Sequence, residues 1–397
     1  MTIYFSAKRA IALIAFSIFS LSSFAQNKLQ TKNLVVVTID GLRWQEVFRG
    51  VSKDMLHSEF TANKKDIKSS FYRQSAAESR ALLFPFLWSV VAKEGQLYGN
   101  FDLGNKQQVA NKYKFSYPGY SEIMTGFADR NINSNAKDYN PNMNVLEFIN
   151  KQPTFEGSVA AFSSWDVFPF ILNSKRSNLL VNSGISDFKP NETTEFSMLN
   201  QLQKQMLSPV GDNVRPDVLT YQFGKTYLKT YKPRVLYLAF DEPDDYAHAG
   251  YYHFYLRQAH KIDLMLSDLW SYIQSDPFYK NQTTLLITCD HGRGDTSPVR
   301  WKKHGAGVKH SEQTWIAVMG PDTPASGEMP GNDKTIYHRE LAQTMSKFLG
   351  LDFQTGTDRK VGNAISSMFK SDVLFSDTVK SEAQKEADVN KNISRIP

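Results

Sequence analysis

The sequence predicts an α/β fold with a mainly parallel central sheet and helices on both of its faces. Short apolar runs rich in β-branched residues recur along the chain, and each is followed at once by polar residues. Stretches with helical periodicity lie between these runs, and such alternation is typical of α/β proteins. A length of 397 residues with 41% hydrophobic content allows a sizeable core.

Four apolar runs are predicted to be buried strands, because each is too short for a buried helix. They are residues 33–39, 235–240, 284–288 and 314–319. In parallel sheets, ligands bind beyond the carboxyl ends of the strands. The polar residues that follow the runs should therefore meet at one edge of the sheet.

Seven stretches are predicted to be helices from their apolar periodicity. They are residues 80–93, 118–125, 144–151, 195–206, 216–231, 248–273 and 337–349. Two segments fit the sheet poorly, since 50–78 is polar and 162–194 mixes aromatic residues with Asn, Ser and Gly. We therefore predict one main domain at 26–375 that includes a small cap insertion at about 127–233.

Residues 1–25 resemble a secretory signal peptide. Lys8 and Arg9 precede an apolar run that ends at a cleavage site of the small-x-small type. The run is shorter than the roughly 20 residues that a membrane span needs, so we expect no retained anchor. The mature chain should begin at Gln26 and be periplasmic or secreted.

Charge and cysteine content argue against a nucleic-acid-binding protein and against a protein stabilised by disulfides. The net charge is +6, without a basic run, so we expect no nucleic-acid partner. Cys289 is the only cysteine, so no intramolecular disulfide can form. Residues 376–397 contain few apolar side chains, which predicts a mobile C-terminal tail. The oligomeric state has no signature in the sequence.

Metal-binding residue types lie close to the ends of the predicted strands. They are Asp40, Asp244, His248, Asp290, His291 and His304, with Asp245 as a spare carboxylate. Split three and three, the six would hold two divalent ions with open coordination positions, which a catalytic site needs and a structural site does not. Mixed Asp and His ligands favour Zn²⁺ and also accept manganese, cobalt or iron.

The same residues also have ordinary interpretations. Asp244 and His248, four positions apart, could be a capping or surface pair, and Asp40 could be a helix N-cap. His310 competes with His304 for any ligand position. Their coincidence at one sheet edge favours a metal site.

Five segments resemble the alkaline phosphatase superfamily, in particular its phosphatase and nucleotide pyrophosphatase/phosphodiesterase-like branch. They are VVVTIDGLRW at 35–44, FSYPGYSEIMTG at 115–126, DEPDDYAHAG at 241–250, LLITCDHGRGD at 285–295 and HGAGVKHSEQTWIAVMGP at 304–321. They span most of the mature chain in the family's order. The resemblance implies an alkaline phosphatase-like catalytic domain that hydrolyses phosphoric esters with metals.

The resemblance also implies a role for individual residues. One metal would be bound by Asp40, Asp290 and His291 together with the oxygen of Ser116. The second metal would be bound by Asp244, His248 and His304. Ser116 would be the nucleophile that is phosphorylated transiently, and Asn135 would contact a phosphoryl oxygen.

Ser116 needs activation for this role, because a serine hydroxyl is a poor nucleophile at neutral pH. Coordination to a divalent ion favours the ionised hydroxyl, so no histidine base is required. The sequence around Ser116 also fits a turn and N-cap before a helix that has Pro118 in its first turn. Both interpretations are compatible, since a helix N-terminus suits an anionic phosphoryl group.

Two alternative functions follow from the same residues. A sulfatase-like ester hydrolase would need Cys or Ser followed by x-Pro-x-Arg, and Tyr120 stands where that arginine belongs. An exported binding protein that keeps its metals only for folding is the second alternative. Ser116 beside both ligand sets argues against it, because structural sites are normally closed by four protein ligands.

The choice between phosphomonoesters and phosphodiesters stays open in the sequence. Lys175 and Arg176 are candidate substrate-binding residues that would bring positive charge to a dianionic phosphoryl group. Trp165, Phe168 and Phe170 could instead offer an apolar patch to a second ester substituent.

Overall fold

The computed structural model describes residues 29–189, 193–207, 213–331 and 333–371. The predicted signal peptide at 1–25 and the predicted tail at 376–397 lie outside the described residues. Within the described ranges, no helix has the length and apolar character that a membrane span requires.

The described residues form ten strands. They are β1 Asn33–Ile39, β2 Gly95–Tyr98, β3 Gln107–Gln108, β4 Val159–Ser163, β5 Leu180–Ser183, β6 Val235–Phe240, β7 Thr283–Thr288, β8 Ile316–Met319, β9 Gly327–Glu328 and β10 Ile336–Tyr337. Eight of them form one sheet in the order β5-β4-β6-β1-β7-β8-β2-β9. The five strands from β5 to β7 are parallel, whereas β8 pairs antiparallel with both of its neighbours. The predicted mainly parallel sheet is confirmed.

Fifteen α-helices lie in the same part of the chain. They are α1 Trp44–Arg49, α2 Lys53–His57, α3 Lys64–Phe71, α4 Ala76–Leu83, α5 Ala92–Glu94, α6 Ser116–Thr125, α7 Val145–Asn150, α8 Phe168–Ile171, α9 Ser174–Ser177, α10 Thr194–Gln205, α11 Asp217–Tyr231, α12 Glu242–Ala249, α13 Tyr252–Ser275, α14 Pro298–Trp301 and α15 Leu341–Phe348. A π-helical turn at Leu87–Val91 and three short 3₁₀ turns complete the set.

Helices cover both faces of the sheet, as β6 illustrates. Successive strand residues point to opposite faces. Tyr237 packs against Phe168 of α8, with ring centroids 5.6 Å apart. Leu238 faces α11, where a Cβ added at Gly224 would lie 2.4 Å from the leucine Cδ2. The strand is fully buried between these helices, which explains its continuous apolar sequence.

Two predicted helices are interrupted in the structure. The helix predicted at 80–93 breaks at Phe84, because the residue before a proline disfavours the helical conformation. The helix predicted at 248–273 is two helices, since Gly250 has φ 80° and ends α12 before α13 begins. The helix predictions rest on apolar periodicity, which takes no account of a single proline or glycine.

The segment predicted as a cap insertion, 127–233, needs correction. It contributes β4 and β5 to the central sheet, where β4 pairs with β6 and with β5. The strand β4 was missed because Val159–Ser163 is only five residues long and lies among polar turns. The segment therefore extends the sheet and is not a cap as a whole.

Asp263 of α13 forms hydrogen bonds with the backbone that follows the break after α4. Its buried carboxylate accepts the backbone N–H groups of Phe86 at 2.7 Å and Leu87 at 3.0 Å. Burial raises the pKa of Asp263 to about 7, although these two hydrogen bonds oppose the shift. The carboxyl group therefore takes up a proton on folding between about pH 4 and pH 7.

We expect this proton uptake to make the protein less stable as the pH rises. In that window the native state binds a proton that the unfolded state lacks, so unfolding releases it and stability falls, by up to about 4 kcal/mol in total. Asp263→Asn should lose this slope in urea unfolding at pH 5 and pH 8. Asp268→Asn changes an exposed carboxylate of the same helix and should keep it. Identical slopes in the wild type and Asp263→Asn would contradict the assignment.

Candidate metal centre

The first predicted ligand group lies where β1 and β7 end side by side. Asp40 follows β1, and Asp290 and His291 come shortly after β7. The Nε2 atom of His291 is 3.3 Å from Asp40 Oδ1 and 3.2 Å from Asp290 Oδ2. All three side chains are buried, and their ligand atoms lie within 4.8 Å of one another.

The second predicted group forms a triangle beside the first. Asp244 Oδ2 is 3.0 Å from His248 Nε2 and 3.8 Å from His304 Nε2. The two Nε2 atoms are 2.8 Å apart. The ring of His304 also stacks on the ring of His291, with centroids 3.9 Å apart and planes 14° apart. The two groups are therefore adjoining parts of one centre.

The centre fits divalent cations. Asp40 Oδ1 and Asp290 Oδ2 are buried and have no hydrogen-bond partner among the described residues, although burying a carboxylate oxygen without a partner is costly. Burial, together with the charge of Asp40, raises the pKa of Asp290 to about 8. Three carboxylates and three imidazoles suit Zn²⁺, and also manganese, cobalt or iron.

The pKa values of the three histidines of the centre are shifted in different directions. Burial lowers the pKa of His248 and lowers that of His304 strongly, which keeps a lone pair available on each imidazole. Burial opposes a positive charge on His291 as well, but the charges of Asp290 and Asp40 raise its pKa to about 9. His291 is thus the imidazole whose positive charge would balance the carboxylates of Asp40 and Asp290.

Ser116 lies at the same centre. It is the first residue of α6, is 6% exposed, and has its Oγ 3.4 Å from His291 Nε2. The helix closely approaches the segment after β7, since a Cβ added at Gly119 would lie 2.4 Å from the Asp290 carbonyl oxygen. Phe115, the N-cap residue, makes no side-chain cap hydrogen bond, and the start of a helix favours an anion.

Asn135 lies beside the serine. Its Oδ1 accepts the backbone N–H of Tyr117 at 3.0 Å, so its amide is fixed next to the start of α6. The side chain is exposed at this position. Its contact with a phosphoryl oxygen stays a prediction.

Tyr120 is a site residue that the sequence argument did not assign. Its buried hydroxyl donates to Asp40 Oδ2 at 3.0 Å, which links the helix that carries the serine to a ligand of the first group. Tyr120 lies four positions after Ser116, on the same helix face, and this spacing is the signal that could have identified it.

We expect Tyr120→Phe to weaken metal binding and activity by about 10- to 100-fold, because hydrogen bonds to ligating carboxylates hold the ligand in place. Zinc titration and kcat measure the two effects. Tyr117→Phe is the matched control on the same helix, since the Tyr117 hydroxyl donates to the Asp138 carbonyl, not to a ligand. Equal losses in the two variants would show that helix packing alone is responsible.

The helix α12, which carries Asp244 and His248, is held by a pair of reciprocal caps. The Asp217 carboxylate accepts the backbone N–H groups of Asp241 at 2.9 Å and Glu242 at 3.3 Å. In return, Glu242 Oε2 accepts the N–H of Asp217, the first residue of α11, at 2.7 Å. Each helix therefore supplies the acceptor that the N-terminus of the other helix needs.

His304 is oriented by the loop before Ser116. The buried Glu122 carboxylate accepts the backbone N–H of Asn111 at 2.8 Å, and Asn111 Oδ1 accepts that of Lys114 at 2.8 Å. The Lys114 carbonyl oxygen is in turn 3.3 Å from His304 Nδ1. A proton on Nδ1 in this contact leaves Nε2 as the ligand atom.

Arg293 was also missed. Its guanidinium is buried, pairs with Asp244 Oδ1, and donates to the carbonyl oxygens of Trp301 and Lys302, each at 2.7 Å. The signal in the sequence was a cation two positions after His291, among the polar residues that follow a predicted strand.

The structure gives Lys175 and Arg176 other partners. Arg176 donates to Glu147 at 2.8 Å and to the carbonyl oxygens of residues 140–142. Lys175 lies 4.5 Å from the ring centroid of Tyr139. None of these contacts involves Ser116 or a ligand of either group, so the substrate-binding role of both residues stays a prediction.

Three other residues that the sequence offered for the site lie outside both ligand groups. His310 pairs with Asp295, so His304 and not His310 joins the ligand cluster. Asp245 has a buried Oδ2 without a hydrogen-bond partner in the described part of the chain, but it belongs to neither ligand group. Phe168 is 1% exposed and packs against Tyr120, which gives it a place in the core and not in a substrate patch.

Several solved structures are similar in fold to this chain. No protein-family model and no curated protein sequence matches the chain. The alkaline phosphatase PafA is similar with a TM-score of 0.57 and 10% identity over 87% of this chain and 100% of its own. The phosphonate monoester hydrolase of Agrobacterium radiobacter is similar with a TM-score of 0.53 and 10% identity, over 85% of this chain and 77% of its own. A protein of Bacteroides thetaiotaomicron assigned as a sulfatase is similar with a TM-score of 0.51 and 11% identity, over 84% of this chain and 74% of its own.

Similarity at this level of identity concerns the fold and not the reaction. The matches cover most of this chain. They do not single out the nucleotide pyrophosphatase/phosphodiesterase-like branch. This chain has the fold of the alkaline phosphatase PafA, as its sequence resemblance implied.

Proposed function

We propose that this protein is a two-metal hydrolase of phosphoric esters that acts through a phosphoserine intermediate on Ser116. The observation that carries the proposal is the Ser116 Oγ, which is 3.4 Å from His291 Nε2 beside two adjoining groups of Asp and His ligands. The fold shared with a phosphatase and a phosphonate monoester hydrolase supports an ester hydrolase.

Asp40, Asp290 and His291 would hold one ion, and Asp244, His248 and His304 the other. When bound, the ions stabilise negative charge on the reacting oxygens and favour ionisation of the serine hydroxyl. Ser116 Oγ attacks phosphorus, the bond from phosphorus to the ester oxygen breaks, and the alcohol leaves with a proton. Water then cleaves the phosphoserine and releases the phosphate product.

The chain's own groups support the anionic substrate. The N-terminus of the ten-residue helix α6 carries partial positive charge at Ser116. The Asn135 amide, fixed by Tyr117, is proposed to donate to a phosphoryl oxygen. We further propose that the enzyme acts after export, because residues 1–25 resemble a signal peptide.

The proposal is tested by an assay of purified protein before and after removal of metal with a chelator. Hydrolysis of an aryl phosphomonoester or phosphodiester should disappear with the metal, return with Zn²⁺, and exceed hydrolysis of the matching aryl sulfate. Activity that survives chelation would overturn the mechanism. Faster cleavage of the sulfate would favour a sulfatase-like hydrolase, and full metal occupancy without hydrolysis would favour a binding protein.

A matched pair of histidine variants sharpens this assay. His304→Ala should abolish hydrolysis, because it removes a ligand of the second group. His310→Ala changes a histidine of the same loop that pairs with Asp295, outside both groups, and should keep most of the activity. Equal activity of the two variants would separate the reaction from this centre.

A further inference from the structure

We propose that Arg293 is the positioning residue of the second ligand group, formed by Asp244, His248 and His304. This inference rests on the proposed function only in requiring that the group binds a metal. Arg293 is 1% exposed, so it contacts its protein partners and not the substrate.

The guanidinium joins three segments that carry ligands. Arg293 itself follows His291 by two residues on the segment after β7. Its Nη1 pairs with Asp244 of α12, while Nε donates to the Trp301 carbonyl oxygen and Nη2 to that of Lys302, two residues before His304. One planar fork thus fixes the spacing between Asp244 and the segment that leads to His304.

The contact also divides the two oxygens of Asp244. Oδ1 is engaged by Arg293, whereas Oδ2 faces His248 Nε2 at 3.0 Å and His304 Nε2 at 3.8 Å. Arg293 therefore leaves Oδ2 as the oxygen that would bind a metal together with His248 and His304. Without this contact the carboxylate could rotate and lose the triangle of ligand atoms.

The backbone makes room for this pair. Gly41 has φ 59°, and a Cβ added there would lie 2.3 Å from Asp244 Oδ1 and 2.9 Å from Arg293 Nη1. Arg43 holds the next residue, because its Nη1 donates to the Gly294 carbonyl oxygen at 3.3 Å. The pair is therefore enclosed between the turn after β1 and the segment after β7.

Geometry, and not charge, is the contribution that this position requires. A buried cation next to two divalent ions adds repulsion, so its value to the site must lie in its fixed hydrogen bonds. Lysine keeps the charge but lacks the planar fork, and it cannot bind one carboxylate and two carbonyl oxygens in the same way. Arg293→Lys therefore separates the two explanations.

The experiment measures metal content and affinity, not activity alone. Zinc per chain is determined by elemental analysis after gel filtration, and the two binding steps are titrated against a chromophoric chelator. We expect Arg293→Lys and Arg293→Met to keep one zinc with wild-type affinity and to bind the second about 10- to 100-fold more weakly. Asp244→Ala supplies the reference state in which the second group is removed.

Arg215→Met is the matched control, since Arg215 is equally buried and donates to Asn182 and to the Ser163 carbonyl oxygen, away from both ligand groups. It should lose stability and keep two zinc ions. Two unchanged zinc-binding steps in Arg293→Lys would overturn the inference even if Arg293→Met fails to fold. A wild-type protein that binds no second zinc would instead overturn the proposed function.

Discussion

Ser116→Ala should remove turnover while the protein stays folded and keeps its metals. The substitution deletes only the Oγ atom, which is 3.4 Å from His291 Nε2, and leaves all six Asp and His ligands in place. Loss of a nucleophile that acts together with its activating groups typically costs kcat on the order of 10⁴-fold or more. We therefore expect activity at background level with unchanged zinc content.

The intermediate gives a second measurement. Acid quenching of wild-type protein during turnover should trap phosphate on the peptide that contains Ser116, detected by mass spectrometry, and Ser116→Ala should trap none. Ser121→Ala is the control from the same helix, because Ser121 Oγ accepts a hydrogen bond from Asn140, which belongs to neither ligand group. Phosphate trapped on the alanine variant would rule out Ser116 as the nucleophile.

The central part of the fold could be predicted from the sequence because its strands are continuous apolar runs. The run at 33–39 coincides with β1, and the run at 235–240 coincides with β6. Less was predictable where local sequence competes with packing. The strand β4 is short, and its pairing with β6 depends on contacts far along the chain.

The ligands of the candidate site were predictable, whereas their supports were not. Asp40 and Asp290 follow neighbouring parallel strands, so topology alone brings them together. Tyr120 contacts Asp40 and Arg293 contacts Asp244, and a sequence shows no such pairings. Arg176 was predicted from its charge alone, and a sequence does not show that its guanidinium also pairs with Glu147.

Asp290→Asn should affect stability and function in opposite directions. Asp290 is fully buried, faces Asp40, and has an Oδ2 without a hydrogen-bond partner among the described residues. Asparagine keeps an oxygen that can accept the Gly41 N–H, which Asp290 Oδ1 accepts at 3.1 Å. It removes an ionisable carboxyl group whose pKa burial raises to about 8. We expect the metal-free variant to be more stable than the metal-free wild type by about 1–3 kcal/mol.

Zinc should reverse that order. A ligand at a thousand times its Kd stabilises the folded state by about 4 kcal/mol, and the variant should lose most of this gain because its first ligand group is incomplete. Its activity should fall on the order of a hundredfold or more, since a metal supplies several kcal/mol of stabilisation to the transition state. Thermal unfolding with and without zinc, together with kcat, tests both effects. Asp245→Asn removes a nearby carboxylate outside both ligand groups and should keep the wild-type response to zinc. If metal-free Asp290→Asn is the less stable protein, then folding itself requires the carboxylate, and the conflict between stability and metal binding proposed for this position does not exist.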